Sequence, residues 1–286
     1  RQSLPGPVQA LLHARAHDAL SARAAPPARL AQHAEGAGRL GAALTHHLQA
    51  AADAVAVFAL ERAETHYRRA EALLGEVPDL AHALPAHGLT PGALRELYYQ
   101  LGFIYVYTNA FERARGLYGR ALELGQRQGW PQLEWLALNH LAYLAVHDGY
   151  DLASARACLA RALEVARASR DERLLVEAHQ EAAGLFTLAY LPEDALHHAQ
   201  AALAVAERQD DLELLGRSLM EVELASWQLG HWQDAIGLLG RAAELYRRSG
   251  NPALEARARH SLAFDEVASG RVAAGEAGAR EALRLS

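Results

Sequence analysis

Few residues in this sequence are spaced for chemistry, and each set implies the structure that would have to hold it. Gly36-Ala37-Gly38-Arg39-Leu40-Gly41 matches G-x-G-x-x-G. A dinucleotide site needs a strand before that motif and a parallel sheet around it; here it separates two Ala-rich helices and reads as an interhelical turn. His13 and His17 stand one helical turn apart, where two imidazoles could face one metal ion, but no Glu completes an H-E-x-x-H motif. The adjacent pairs His46-His47 and His197-His198 point around a helix rather than to one side, as surface and packing residues do. Asp210-Asp211 and Asp265-Glu266 fall where helix caps and solvated faces are expected. There is no Gly-x-Ser-x-Gly elbow and no acidic metal motif of a helical cyclase. No catalytic residue, cofactor or metal ligand is assigned.

The composition narrows the chemistry further. All 28 basic residues are arginine, which excludes Schiff-base chemistry and the lysine of a phosphate-binding loop. Of 286 residues, 63 are Ala and only 19 are Val, Ile or Thr, a ratio that favours helices over strands. A net charge of -6 argues against neutralising nucleic-acid phosphates as the main task. The single Cys158 excludes an intrachain disulfide and suits a reducing cytoplasm, the expected location. No apolar run approaches the length of a membrane span. The chain opens on Arg1 rather than Met, which leads us to expect a fragment of a longer polypeptide.

The elements that would position any site are legible as a repeat. From Arg95 to Gln128, Tyr98, Leu101, Gly102 and Tyr105 fall on one helical stretch, then Ala114, Tyr118 and Ala121 on a second. This pattern resembles the tetratricopeptide repeat, in which small residues stand where paired helices cross closely and large ones fill the space between pairs. With Ala114 as anchor, equivalents follow at Ala155, Ala195, Ala235 and Gly275, at intervals of 41, 40, 40 and 40 residues. Seven residues after each anchor stands Ala121, Ala162, Ala202, Ala242 or Ala282. The one extra residue is expected in the turn near Tyr150. The fold class expected is all-α, with antiparallel helix-pair repeats stacked in a right-handed solenoid. The array of five pairs spans 93–286, a loop spans 76–92 with a turn of helix near Ala81, and residues 1–75 form an irregular helical segment. That segment has helices expected over 7–23, 27–34, 40–57 and 58–75.

The N-terminal segment carries a second resemblance. Leu4-Pro5-Gly6 through Leu11 to Ala16, Ala31-Gln32-His33-Ala34-Glu35-Gly36-Ala37-Gly38 and His66-Tyr67-Arg68-Arg69-Ala70 resemble the stretch that follows the ATPase module in bacterial STAND-class signalling ATPases. These include LuxR-type and antibiotic-regulatory-type activators and ATPase-cyclase fusions. The resemblance implies a sensor region whose ATPase and output domains lie elsewhere in a parent chain, since this sequence has no Walker A, cyclase or helix-turn-helix motif.

In stacked tetratricopeptide repeats the first, or A, helices line a concave groove. The corresponding positions are Glu96, Tyr99, Phe103, Val106 and Tyr107; Asn139, Tyr143 and His147; Gln180 and Thr187; Arg217, Met220 and Trp227; and Arg257, His260 and Phe264. Polar groups among aromatics suit a peptide or a small effector. The function expected is a non-catalytic scaffold or sensor that binds a protein partner or small effector there and regulates an attached ATPase or transcription-regulator module. The alternative is a free-standing adaptor for partner peptides. Chaperone-tail adaptors of this repeat class grip a carboxylate with a Lys-containing clamp, which this chain cannot build, although Arg217 and Arg257 could meet an acidic partner.

Overall fold

A computed structural model describes residues 6–76, 84 and 89–285. Among them the chain forms fourteen α-helices and no strand. The helices are α1 (Gly6–Ser21), α2 (Pro27–Gly36), α3 (Leu40–Ala56), α4 (Leu60–Glu76), α5 (Pro91–Tyr107), α6 (Phe111–Gln128) and α7 (Pro131–Gly149). They continue as α8 (Leu152–Ser169), α9 (Glu172–Leu188), α10 (Pro192–Ala206), α11 (Leu212–Gln228), α12 (Trp232–Ser249), α13 (Pro252–Ala268) and α14 (Val272–Leu285). The helix expected near Ala81 lies outside the described residues. The chain divides into two compact units, residues 1–136 and 137–286.

Local chemistry sets where the helices begin and end. Asp151, Asp171, Asp211 and Asn251 each accept a backbone N–H of the following first turn, from Ser154, Leu174, Leu214 and Leu254 respectively. Each bond satisfies one of the donors a helix start leaves orphaned. Thr90 does the same for α5, which opens on Pro91. Inside each pair the turn holds one residue in the left-handed region: Asn109, Tyr150, Tyr190, Gly230 and Gly270. These follow the same 41, 40, 40, 40 spacing as the alanine anchors, so the backbone repeats with the sequence. The extra residue, expected in the turn near Tyr150, is instead taken up in α7, which runs to 19 residues and leaves a turn of only Tyr150 and Asp151.

All ten small contact positions from Ala114 to Ala282 are buried. In the first unit, Tyr118 of α6 lies fully buried over Gly102 of α5, where any Cβ would overlap its ring and hydroxyl. The second unit has one apolar cluster around Ala142, Ala155, Ala182, Phe186 and Ala195, and another around Leu219, Leu239, Ala242 and Tyr246. Replacing Ala195, fully buried in the first cluster, by Leu is expected to cost about 1–3 kcal/mol through overpacking, and the same holds at Ala155. Thermal unfolding of the two variants checks this; unchanged midpoints would refute the helix register at those positions.

α1 is held differently from the repeats. Its one buried residue is His17, and polar contacts tie it to its neighbours. His13 Nδ1 lies 3.0 Å from His33 Nδ1 of α2, and His17 Nε2 lies 3.1 Å from His46 Nε2 of α3. Asp18 pairs with Arg39 across the turn that matched G-x-G-x-x-G. In each histidine pair one ring nitrogen donates and the other accepts, which requires a neutral acceptor. His13 and His17 therefore face different partners rather than one common point. His47, expected among surface and packing residues, is buried; its Nδ1 lies 2.9 Å from His66 Nδ1 and its Nε2 meets Glu35, which also pairs with Arg69.

Candidate functional site

The A-helix residues singled out from the repeat register fall into three settings. In the first unit, Tyr99, Phe103 and Tyr107 form an exposed stripe along α5. Phe103 and Tyr107 stack at 6.0 Å, and Phe58 meets Tyr107 edge-on at 5.7 Å. A larger cavity of about 680 Å³ in this unit lies between α4, α5 and α6. Two of its arginines are committed: Arg120 forms a bidentate pair with Glu71, and Arg113 pairs with Glu64.

In the second unit four of the candidates converge. Asn139 and Tyr143 of α7, Gln180 of α9 and Arg217 of α11 line one cavity of about 240 Å³, together with Glu181 and Glu221. Three successive A helices thus contribute to one site, as consecutive repeats must when their first helices stand side by side. Gln180 is fully buried. Its Nε2 donates to the Leu214 carbonyl at 3.2 Å and to Ser218 Oγ at 2.8 Å. Both N–H bonds are then spent, while Oε1 is buried with no hydrogen-bond partner among the described residues. Asn139 is only 8% exposed, and both its Oδ1 and its Nδ2 are buried without a partner among the described residues. A buried amide left unpaired costs about 1–3 kcal/mol.

The electrostatics of the cavity differ from the sequence expectation. Arg217, expected to be available to an acidic partner, donates to Glu181 at 2.6 Å. Burial pushes the Glu221 carboxyl up to about 7, with Arg217 pulling it back down. Burial also pushes His140, which lines the cavity, down to about 4, so it is neutral near pH 7. Glu181, Glu221 and His140 were not among the sequence candidates. Their signal was present as Arg217 and Glu221 one turn apart on a helix face where an apolar stripe is the rule.

The remaining candidates spread out. His147 is exposed and stacks on Tyr143 at 5.1 Å. Trp227 packs against Trp232 at 5.7 Å and the exposed Phe264 at 6.2 Å, forming an aromatic cluster. Arg257 and His260 are exposed. Met220 is not a groove residue: it is buried in the core, and Tyr246 directs its hydroxyl at the Met220 sulfur, 3.7 Å away.

Comparison with known proteins gives the fold. No family model matches the chain, and no curated protein matches it. Among solved structures it is similar to a STAND protein with a tetratricopeptide repeat sensor from Pyrococcus horikoshii, at 16% identity and a TM-score of 0.60, covering 88% of this chain and 39% of that one. It is similar to BtubC from P. vanneervenii at 18% identity and 0.58, covering 87% and 93%. It is also similar to a Rap protein complexed with competence and sporulation factor, at 18% and 0.53, covering 86% and 78%. The fold is a tetratricopeptide-like helical repeat. Among the described residues no helix is long and apolar enough to cross a membrane.

A buried acid pair lies outside the cavity. Asp265 of α13, expected on a solvated face, is buried and hydrogen-bonded to the equally buried Glu223 of α11. Burial first, and then the neighbouring Asp265, holds the Glu223 carboxyl well above the usual carboxylate range, so the pair keeps a proton near neutral pH.

Proposed function

We propose that this chain is a non-catalytic tetratricopeptide-like scaffold that binds a segment of a protein partner along the A-helix face of its second unit. The observation that supports this most is the convergence of Asn139, Tyr143, Gln180 and Arg217 from three successive repeats on one cavity, with hydrogen-bonding groups left unspent. Pre-placed, unsatisfied polar groups in a concave site orient a ligand, and the aromatic cluster at Trp227 of α11 and Phe264 of α13 supplies apolar contact area. We further infer that the scaffold acts as the sensor of a STAND-class ATPase in the cytoplasm, where occupancy of the face would bias the attached module between two states. The sequence pattern over residues 1–75 and the likeness to the Pyrococcus horikoshii protein, of which this chain spans 39%, support that placement. Such bias requires the partner to bind the two states unequally.

A free-standing adaptor is the second reading, and the 93% coverage of BtubC by this chain favours it. The binding reading is tested by selecting peptides from a display library on the purified chain and measuring their affinity for it. Trp227→Ala and Asn139→Leu are expected to weaken the selected peptides at least about tenfold, with folding retained. Failure to select any peptide, or binding that survives both substitutions, would count against this face.

A further inference from the structure

Resting on the partner-binding reading above, the unspent groups of the cavity define what it would take. We propose that the Asn139–Gln180 cavity recognises a primary carboxamide, presented as an asparagine or glutamine side chain of the bound segment, and rejects the matching carboxylate.

Of the residues that line the cavity, two acceptors, Asn139 Oδ1 and Gln180 Oε1, and one donor group, Asn139 Nδ2, are buried with no partner among the described residues. The orientation of Gln180 is set, because its nitrogen already donates to Leu214 and Ser218. A primary carboxamide brings two N–H donors, one for each acceptor, and a carbonyl oxygen to accept from Asn139 Nδ2. A secondary, backbone-type amide brings only one N–H and leaves an acceptor unmet. A carboxylate brings no donor, so it faces two lone-pair-bearing oxygens.

The charged residues point the same way. The one guanidinium in the cavity donates to Glu181, and Glu221 adds a second carboxyl group, so carboxyl groups outnumber guanidinium groups around an anionic ligand. An ammonium group would be attracted to the carboxyls and satisfy the acceptors, but would leave the Asn139 N–H groups unpaired. Sites built to hydrogen-bond a ligand discriminate most strongly against analogues that leave their own buried groups unpaired.

The probes are three near-isosteric small molecules, butyramide, butyrate and n-butylamine, titrated into the whole chain. Binding is followed by the backbone amide signals of the lining residues Tyr143, Gln180 and Gly184 in nuclear magnetic resonance spectra, which both Asn139 variants retain. Butyramide is expected to shift those signals saturably and to bind at least about tenfold more tightly than butyrate. Asn139→Leu is expected to abolish the butyramide response, and Asn139→Asp to move the preference to n-butylamine. Should the Leu variant fail to fold, the Asp variant alone decides, because a shape-only cavity would not change its preference with that substitution. Equal affinity for butyramide and butyrate, no response to butyramide, or a response that persists in both variants would overturn the proposal. Display-selected peptides that bind through Asn139 but show no enrichment in Asn or Gln would overturn the carboxamide assignment and leave the binding face standing. Butyramide binding with no selectable peptide would support the carboxamide site and remove the partner reading.

Discussion

Gly102→Ala is expected to destabilise the first unit by about 2 kcal/mol or more, while Gly119→Ala, on the partner helix of the same pair, stabilises it by about 0.5–1 kcal/mol. Both glycines sit inside helices, where replacing Gly by Ala normally gains about 1 kcal/mol from backbone entropy. At Gly119 the new Cβ meets nothing within 4 Å, so that gain stands alone. At Gly102 it would overlap the hydroxyl and ring of Tyr118, which is itself fully buried between the two helices. Tyr118 would have to leave its rotamer or the helices would have to separate, and overpacking of this kind costs about 1–3 kcal/mol and occasionally more. The opposite signs, read as shifts in urea midpoint, separate a close helix crossing from a general preference for alanine. If both variants stabilised, the α5–α6 crossing described above would be wrong.

Glu223→Gln is expected to stabilise the second unit by about 2 kcal/mol at pH 7–8, with the advantage shrinking as the pH falls toward 4. The sign follows from the buried acid pair. The folded chain holds the Glu223 carboxyl above its ordinary value, so its favourable contribution is fully present below the unfolded carboxyl pKa and is lost as the pH rises through the folded one. Near neutral pH the unfolded chain has given up a proton that the folded chain must still retain. Each pKa unit of that difference is worth about 1.4 kcal/mol. Glutamine is neutral at every pH and can still donate to Asp265, so it removes the penalty without removing the hydrogen bond. Denaturation of both proteins across pH 4–9 checks this: parallel stability curves would mean that the pair is not a protonated one.

These two sites also mark what could and could not be read from residues in order. The crossing at Gly102 was legible because small contacts seven apart recur every forty residues, and each recurrence is the same local geometry built again. A helix end was legible where Asp acts through its nearest backbone neighbours, as at Asp211. The histidine pairs were not, because His17 and His46, or His47 and His66, meet only once separate helices have packed. Asp265 was misread as solvated although the register itself held the warning. One period away its equivalents are Ala225 and, a further period back, Leu185, while Glu223 aligns with Ala183 and Ala263, all of them buried. Acids in positions that other repeats fill with apolar residues break the local rule and identify a special place. In the cavity of the second unit, Asn139, Tyr143, Gln180 and Arg217 followed from the repeat register together with the tetratricopeptide resemblance, which implies the groove-facing positions. Whether each still had hydrogen bonds to give did not, since Arg217 is committed to Glu181 and Asn139 is not committed at all.

If Asn139 is kept for a ligand rather than for the fold, one variant measured twice shows it directly. Asn139→Leu removes a buried amide with no partner and replaces it with an apolar side chain of similar size, a change that is neutral or stabilising when no hydrogen bond is lost. The prediction is an unfolding midpoint equal to or above that of the wild type, together with at least about a tenfold loss of affinity for the selected peptides. A fall in stability with peptide affinity unchanged would contradict it, and would make Asn139 a structural residue.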